Sequence, residues 1–192
     1  SGPKPRQYSR DFYRRDAEDI AAFLDALDVD QAHIVGFSDG GEVALLMPII
    51  RPDLVRSVVA WGAVGFFGPE FRDQIEAYWP PTWLGPERRD IHGVTPEQVD
   101  QMVRGWMGAM LEIIDSGGNI SRNEAHLIAC PLLLMLGQGD PLNPEYAGRQ
   151  LVERVPDGQL VMFDGGHAVH REQPELFRQT LWEFLQRIDA AD

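Results

Sequence analysis

The sequence has little cysteine, a minority of basic side chains and no long apolar run. Its single cysteine, Cys130, cannot form an internal disulfide, so stability must come from packing. The 17 basic side chains are outnumbered by 30 acidic ones, and the net charge of −13 disfavours nucleic acid or an anionic membrane as the partner. No apolar run approaches the ~20 residues that cross a bilayer, and residues 1–6 do not resemble a signal peptide. We therefore expect no membrane segment and a cytoplasmic location.

The sequence lacks two kinds of motif that bind cofactors. The sequence has no H-E-x-x-H or other metal-ligand spacing, and no G-x-G-x-x-G for a dinucleotide. We therefore expect neither a metal nor an organic cofactor. An apolar share of 44%, with five Trp and nine Phe, is typical of a folded domain and not of a disordered chain. The length of 192 residues suits one domain, which usually has ~100–200 residues.

Four short apolar segments predict β-strands. They cover residues 32–37, 57–61, 131–136 and 159–163. They alternate with helical segments, and none alternates regularly between apolar and polar residues. This pattern is typical of a parallel sheet with helices on both faces, and it predicts the α/β class.

Three segments carry helical signals. Ile20, Phe23, Leu24 and Leu27 have the spacing of one buried helical face. The apolar stretch 43–50 is also predicted to be helical, although Pro48 should kink or end that helix. The last helix is predicted to begin near Pro174. Its apolar face contains Phe177, Leu181, Phe184, Leu185 and Ile188.

About seventy residues rich in aromatic side chains and methionine separate the second and third predicted strands. Within them, Thr95-Pro96-Glu97-Gln98 has the pattern of a helix start. Open parallel sheets bind ligands at the carboxyl ends of their strands, where we expect this insertion to lie. We therefore predict a core of residues 1–62 and 125–192 and a helical cap of residues 63–124.

The strongest chemical signal is the segment Gly36-Phe37-Ser38-Asp39-Gly40-Gly41. It fits G-x-S-x-G between a predicted strand and a predicted helix, where a strained turn exposes a nucleophilic serine. The expected reason for the glycines is close packing on either side of the turn. The alternative is a glycine-rich turn in which Ser38 only caps the helix.

A nucleophilic serine needs a base and an acid that orients the base. The chain has five histidines: His33, His92, His126, His167 and His170. His167 is the preferred base because it lies in a strand-end loop after two glycines, and His170 is the alternative. The preferred acid is Asp140, although it could simply form an Asp-Pro turn. The order Ser38, Asp140, His167 is the chain order of α/β-hydrolase triads.

The sequence resembles the α/β-hydrolase superfamily of serine hydrolases, and within it the valacyclovir hydrolase (biphenyl hydrolase-like) family. The segments that carry this resemblance are Phe12-Tyr13-Arg14-Arg15-Asp16-Ala17, the serine motif, Trp61-Gly62-Ala63, Gly118-Asn119-Ile120-Ser121-Arg122, Cys130-Pro131, Gly139-Asp140-Pro141-Leu142 and Gly166-His167. The resemblance implies an α/β-hydrolase fold with a helical cap. It also implies that Ser38 is the nucleophile, His167 the base and Asp140 its partner.

The resemblance also implies a substrate class, the esters of α-amino acids. The acid that follows the nucleophile binds the α-ammonium group in that family, and Asp39 occupies this position. Its backbone N–H would serve in the oxyanion hole. Asp39 could instead only stabilise the helix start, which is worth ~0.3–1 kcal/mol.

Further residues are expected to contact the ester: Trp61, Phe66, Trp106 and Arg122. Arg122 could orient Asp39 or could be a surface arginine. The alternative functions are an esterase, lactonase or perhydrolase acting on uncharged substrates, and a non-catalytic subunit.

The chain departs from the family pattern at its start. The resemblance implies further strands ahead of Ser1, together with a His-Gly loop that supplies the second oxyanion N–H. Without them, the strand that leads to Ser38 would be an unpaired apolar edge, which proteins avoid. We therefore expect these N-terminal strands to be missing from this chain, and the edge to be covered by a companion N-terminal chain or by a homodimer.

Overall fold

The structure, a computed structural model, describes residues 6–82, 84–85 and 95–190. Trp83 and His92 lie outside the described residues. The chain divides into two compact units, one made of Ser1–Phe12 and Phe67–Asn119 and the other of Tyr13–Phe66 and Ile120–Asp192. These units place residues 6–12 with the insertion, whereas the domain boundaries predicted from the sequence place them with the core. The predicted boundaries stay a prediction.

Four strands and seven α-helices occur in the described residues. The strands are β1 (Ala32–Phe37), β2 (Val55–Trp61), β3 (Leu132–Gly137) and β4 (Gly158–Phe163). The helices are α1 (Phe12–Ala26), α2 (Asp39–Ile50), α3 (Arg72–Glu76), α4 (Pro96–Asp115), α5 (Glu145–Val152), α6 (Val169–Glu172) and α7 (Pro174–Asp189). Short 3₁₀ turns cover Pro52–Leu54, Pro69–Phe71 and Arg122–Leu127. All four predicted strands are present, with ends that differ by two residues at most.

The strands form one parallel sheet in the order β1-β2-β3-β4. Phe37 lies opposite Trp61, so the ends of β1 and β2 that lead to the predicted site are in register. β3 is buried along its whole length, as its apolar sequence predicts. In the described residues β1 has a strand neighbour on one side only, and Val35 in its centre is 46% exposed.

Helices cover both faces of the sheet. On one face, Val59, Leu133 and Met135 belong to a buried cluster with Phe177 and Phe184 of α7. On the other face, α5 approaches closely at Gly148, where a Cβ atom would lie 2.4 Å from the Leu136 side chain. The predicted α/β class, a parallel sheet between helical layers, is confirmed.

The prediction for the buried face of α1 is wrong. Ile20, Phe23 and Leu27 are 42%, 58% and 56% exposed. The buried side chains of α1 are Phe12, Tyr13, Ala17 and Ala21, and they form the adjacent stripe of the same helix. The larger apolar stripe beside these residues is left uncovered by the described residues.

α2 begins directly after Ser38 and ends at Ile50, two residues beyond Pro48. Its residues from Gly41 to Pro48 are buried almost without interruption, so the helix has no polar face. A helix that is apolar all round is held by packing rather than by amphipathicity, and here packing keeps a proline inside the last turn.

The unit that contains the insertion is mainly helical. Thr95 begins α4 with the predicted cap, because its hydroxyl accepts the N–H of Gln98 while the Gln98 side chain accepts the N–H of Thr95. Arg104 lies over the ring of Trp79, with 3.7 Å between the guanidinium carbon and the ring centroid. None of the helices in the described residues is long and apolar enough to cross a membrane.

Candidate active site

Ser38 lies on a strained turn between β1 and α2. Its φ of 56° and ψ of −123° fall in a region that residues with a side chain rarely adopt. The turn is held by backbone hydrogen bonds, since Ser38 N–H donates to the Trp61 carbonyl and the Ser38 carbonyl accepts the N–H groups of Gly41 and Glu42. This is the geometry that the G-x-S-x-G motif predicts.

The glycines around Ser38 differ in how much space a Cβ atom would have at each position. A Cβ atom at Gly36 would lie 2.0 Å from the Gly40 carbonyl oxygen, and one at Gly41 would lie 2.8 Å from the Ala63 Cβ. Gly40, the second glycine of the motif, has nothing within 4 Å of such an atom. The expected close packing on either side therefore comes from Gly36 and Gly41, not from Gly40.

His167 lies between Ser38 and Asp140. Its Nε2 is 3.0 Å from the Ser38 Oγ, and its Nδ1 is 2.7 Å from an Asp140 carboxylate oxygen. With the Nδ1–H tautomer, the imidazole donates to Asp140 and accepts the hydroxyl proton of Ser38. The structure thus brings together three residues that are far apart along the chain, in the geometry of a nucleophile, a base and an orienting acid.

Asp140 is held as a carboxylate in a buried position, where it is 4% exposed. Burial by itself would raise the pKa of Asp140, but the hydrogen bond to His167 and the charge of that imidazole bring the pKa below its ordinary value. Two further donors help, the Leu142 backbone N–H at 3.0 Å and the Asn143 side-chain amide at 2.9 Å. Asn143 is a residue of the site that sequence reasoning missed.

His170, the alternative base, forms its hydrogen bond with Trp61 and not with Ser38. Its Nδ1 accepts the indole N–H of Trp61 at 3.0 Å, which requires that nitrogen to be unprotonated. Burial lowers the pKa of His170, and the positive charge of Arg171 adds to this effect. The Phe37 ring lies close to both imidazoles, at 4.9 Å from His167 and 4.7 Å from His170 between centroids.

Two other histidines have structural contacts. His33 in β1 has its Nδ1 2.7 Å from the Ser57 hydroxyl and its Nε2 3.3 Å from Asp189 near the end of α7. The His126 Nδ1 lies 3.2 Å from the Asn123 carbonyl. Among the described residues, no group of three or more His, Cys, Asp or Glu is placed to hold a metal ion.

The residues expected to contact substrate are placed as follows. The Trp61 indole stacks on Phe37, with 5.6 Å between ring centroids. Arg122 lies over the Phe66 ring at 3.5 Å and donates a hydrogen bond to the Gln150 side chain. Trp106 belongs to the unit that contains the insertion. Contact of these side chains with substrate stays a prediction.

Glu42 is a buried acid near the site that sequence reasoning missed. It lies in the first turn of α2, is 2% exposed, and accepts the backbone N–H groups of Val64 and Gly65 at 3.0–3.1 Å. The Gly65 carbonyl in turn accepts the N–H groups of Ile120, Ser121 and Arg122. Burial raises the pKa of Glu42 to about 7, and the two backbone N–H groups oppose this rise.

Comparison with known proteins places the chain among hydrolases. The family model described as "Alpha/beta hydrolase family" matches residues 2–180. The chain is 28% identical over 190 residues to the "Serine hydrolase BPHL" of Mus musculus, and the match covers 97% of this chain and 65% of the relative. It is 30% identical over 197 residues to a "Putative carbamate hydrolase RutD" of Azorhizobium caulinodans, covering 90% of this chain and 73% of that protein.

A solved structure agrees on the fold. The putative lipase of Acinetobacter baumannii AYE superimposes with a TM-score of 0.79 at 17% identity, over 100% of this chain and 72% of that one. The chain thus spans about two thirds to three quarters of the length of the proteins that it matches. The resemblance proposed from the serine motif and the triad order is confirmed, and the chain belongs to the α/β-hydrolase family.

Proposed function

We propose that this protein is a serine hydrolase that cleaves carboxylic esters through an acyl-enzyme. The observation that carries the proposal is the His167 imidazole, which lies within hydrogen-bonding distance of both Ser38 and Asp140. A serine hydroxyl is a weak nucleophile until a base takes its proton, and this is the arrangement that supplies the base. The mouse relative, itself called a serine hydrolase, supports the same reaction class.

The reaction proceeds in two stages. Ser38 Oγ attacks the ester carbonyl carbon while its proton passes to the His167 Nε2. The tetrahedral intermediate collapses as the carbon–oxygen bond to the alcohol breaks, and the alcohol leaves with the proton from Nε2. Water then attacks the acyl-serine, gives its proton to Nε2, and the acid is released as Ser38 Oγ recovers that proton. Asp140 stays ionised and stabilises the imidazolium that forms twice.

The oxyanion needs N–H donors during both stages. We assign one of them to the backbone of Asp39, the first residue of α2, where helix N–H groups point out of the amino end. The second donor would come from the segment that covers β1.

The proposed substrates are esters of α-amino acids. The Asp39 carboxylate follows the nucleophile directly, so a negative charge is held beside the acyl group of a bound ester. A cationic α-ammonium would be favoured there over an uncharged group. Trp61, Phe66, Trp106 and Arg122 are proposed to line the remaining substrate surface. The alternative is an esterase, lactonase or perhydrolase acting on uncharged substrates.

Asp39→Asn separates these two substrate classes. We expect the ratio of kcat/KM for phenylalanine methyl ester to kcat/KM for methyl 3-phenylpropionate to fall about tenfold, because a charge-assisted hydrogen bond is replaced by a neutral one. The two esters differ only in the α-ammonium group, so effects on the backbone donor cancel in the ratio. Equal losses on both esters would contradict recognition of the ammonium and favour the uncharged substrates.

We further propose that the outer edge of β1 is covered by a strand from a polypeptide outside this sequence. Two observations support this: the exposed Val35, and relatives that are longer than this chain. An uncovered apolar edge of this kind is a pairing site for another strand. The same edge favours the second candidate function, a non-catalytic subunit.

The edge proposal is tested on the protein alone by native mass spectrometry and amide hydrogen exchange. We expect a monomer of 21.6 kDa in which the outward-facing amides of β1 exchange rapidly. A dimer with protected β1 amides would show instead that a second copy of the chain covers the edge.

A further inference from the structure

Tyr13 contacts the acid next to the nucleophile from a distant part of the chain. Its phenolic O–H donates to an Asp39 carboxylate oxygen at 2.6 Å, and the two residues are 26 positions apart. The Tyr13 side chain is only 2% exposed, so this hydroxyl is held inside the protein. The contact joins the first turn of α1 to the first residue of α2, directly beside Ser38.

The chemistry of the donor matters for what Asp39 can bind. An O–H···O⁻ bond of this length is a strong, charge-assisted hydrogen bond that fixes the orientation of the carboxylate. Because the tyrosine is neutral, it does so without cancelling the negative charge, whereas an arginine or lysine in the same place would form an ion pair.

The helix that carries Tyr13 is itself fixed beside this contact. The next residue, Arg14, forms an ion pair with Glu124 at 3.0 Å. Glu124 lies in the Arg122–Leu127 turn, so the first turn of α1 is tied to a second point of the same unit. A hydroxyl on a fixed helix holds its acceptor in one place better than a hydroxyl on a mobile loop.

We propose that Tyr13 is a positioning residue for substrate specificity, which holds the Asp39 carboxylate in the orientation that accepts the α-ammonium group of an amino-acid ester. This inference rests on the amino-acid ester specificity proposed above. It assigns a role to Tyr13, a residue of the Phe12–Ala17 segment that has no part in the triad chemistry.

Tyr13→Phe tests the proposal, with Tyr146→Phe at a half-exposed position as the matched control. The readout is the ratio of kcat/KM for phenylalanine methyl ester to that for methyl 3-phenylpropionate. We expect Tyr13→Phe to lower this ratio about three- to tenfold, mostly through KM of the cationic ester, and Tyr146→Phe to leave it unchanged. The ratio does not depend on the fraction of folded enzyme, because both esters are measured on one preparation.

Asp39→Asn, measured in parallel, separates failure of this inference from failure of the proposed specificity. If Asp39→Asn lowers the ratio and Tyr13→Phe does not, or if Tyr13→Phe slows both esters equally, Tyr13 is structural and the inference is overturned while the specificity stands. If Asp39→Asn leaves the ratio unchanged, the specificity itself fails.

A second variant keeps the test decisive should Tyr13→Phe not fold. Asp39→Glu retains the charge but extends the side chain by one methylene, which moves the carboxylate away from its present place beside the Tyr13 hydroxyl. We expect the ratio to fall toward that of Asp39→Asn. A ratio equal to that of the unmodified protein would show that charge alone suffices and would overturn the positioning role.

Discussion

Replacing Ser38 by alanine is expected to lower kcat for ester hydrolysis by about five to six orders of magnitude. The reason is that the variant lacks the hydroxyl oxygen that lies 3.0 Å from the His167 Nε2 and attacks the ester, so no acyl-enzyme can form. What remains is the catalysis supplied by the oxyanion donor and by substrate binding. The measurement is kcat on methyl 3-phenylpropionate, together with thermal unfolding to show that the variant is folded.

Ser116→Ala is the matched control for this prediction. Ser116 is exposed and caps the end of α4, where its hydroxyl donates to the Ile113 carbonyl. We expect kcat of this variant to equal that of the unmodified protein. A loss of less than about tenfold in Ser38→Ala would show that another group or direct attack by water carries the reaction, contrary to the proposed role of Ser38.

Glu42→Ala is expected to lower the free energy of unfolding by about 3–5 kcal/mol near pH 5.5. The substitution leaves the buried N–H groups of Val64 and Gly65 without their acceptor, and each such loss costs ~1–3 kcal/mol. It also leaves space where the side chain was packed. Denaturant unfolding gives the value, and Glu18→Ala on the exposed side of α1 should change it by less than about 0.5 kcal/mol.

The loss of stability in Glu42→Ala should depend on pH, and the pKa of Glu42 gives the direction of this dependence. The pKa of Glu42 is about 7 in the folded protein and 4.5 as its ordinary value, so between these values the folded protein keeps a proton that the unfolded chain releases. The contribution of Glu42 to stability is therefore complete below pH 4.5 and declines as the pH rises through about 7. We expect the deficit of Glu42→Ala to shrink by about 2 kcal/mol between about pH 5.5 and 8. A deficit that grows over this range would show that the ionised carboxylate is the stabilising form.

Features that depend on residues close together along the chain could be predicted from the sequence. The strands are short, mainly apolar segments, and the turn at Ser38 is encoded by six consecutive residues in which Gly36 and Gly41 permit close packing. His167 and Asp140 could be predicted because each follows the carboxyl end of a strand, and such ends meet at one edge of a parallel sheet. These two residues come close together because the strands that precede them are parallel neighbours in the sheet.

Features that depend on contacts between distant segments could not be predicted in this way. Periodicity marked Ile20, Phe23 and Leu27 as apolar neighbours on a helix, but burial depends on what packs against that helix. The contacts of Glu42 and Tyr13 could not be predicted, because their partners lie more than twenty residues away along the chain. The role of Asn143 follows only from where its amide points once Asp140 is buried.

The central claim is that His167 and Asp140 activate Ser38 as a nucleophile, and labelling with a fluorophosphonate tests it most directly. Mass spectrometry of the digested protein identifies the modified residue, independently of which ester is the substrate. We expect one adduct, on Ser38, that is lost in Ser38→Ala and forms far more slowly in His167→Ala. A Ser38 that never reacts in folded protein would contradict its role as nucleophile and leave the non-catalytic subunit as the function to pursue. An adduct on a different serine would contradict the assignment of the nucleophile to Ser38.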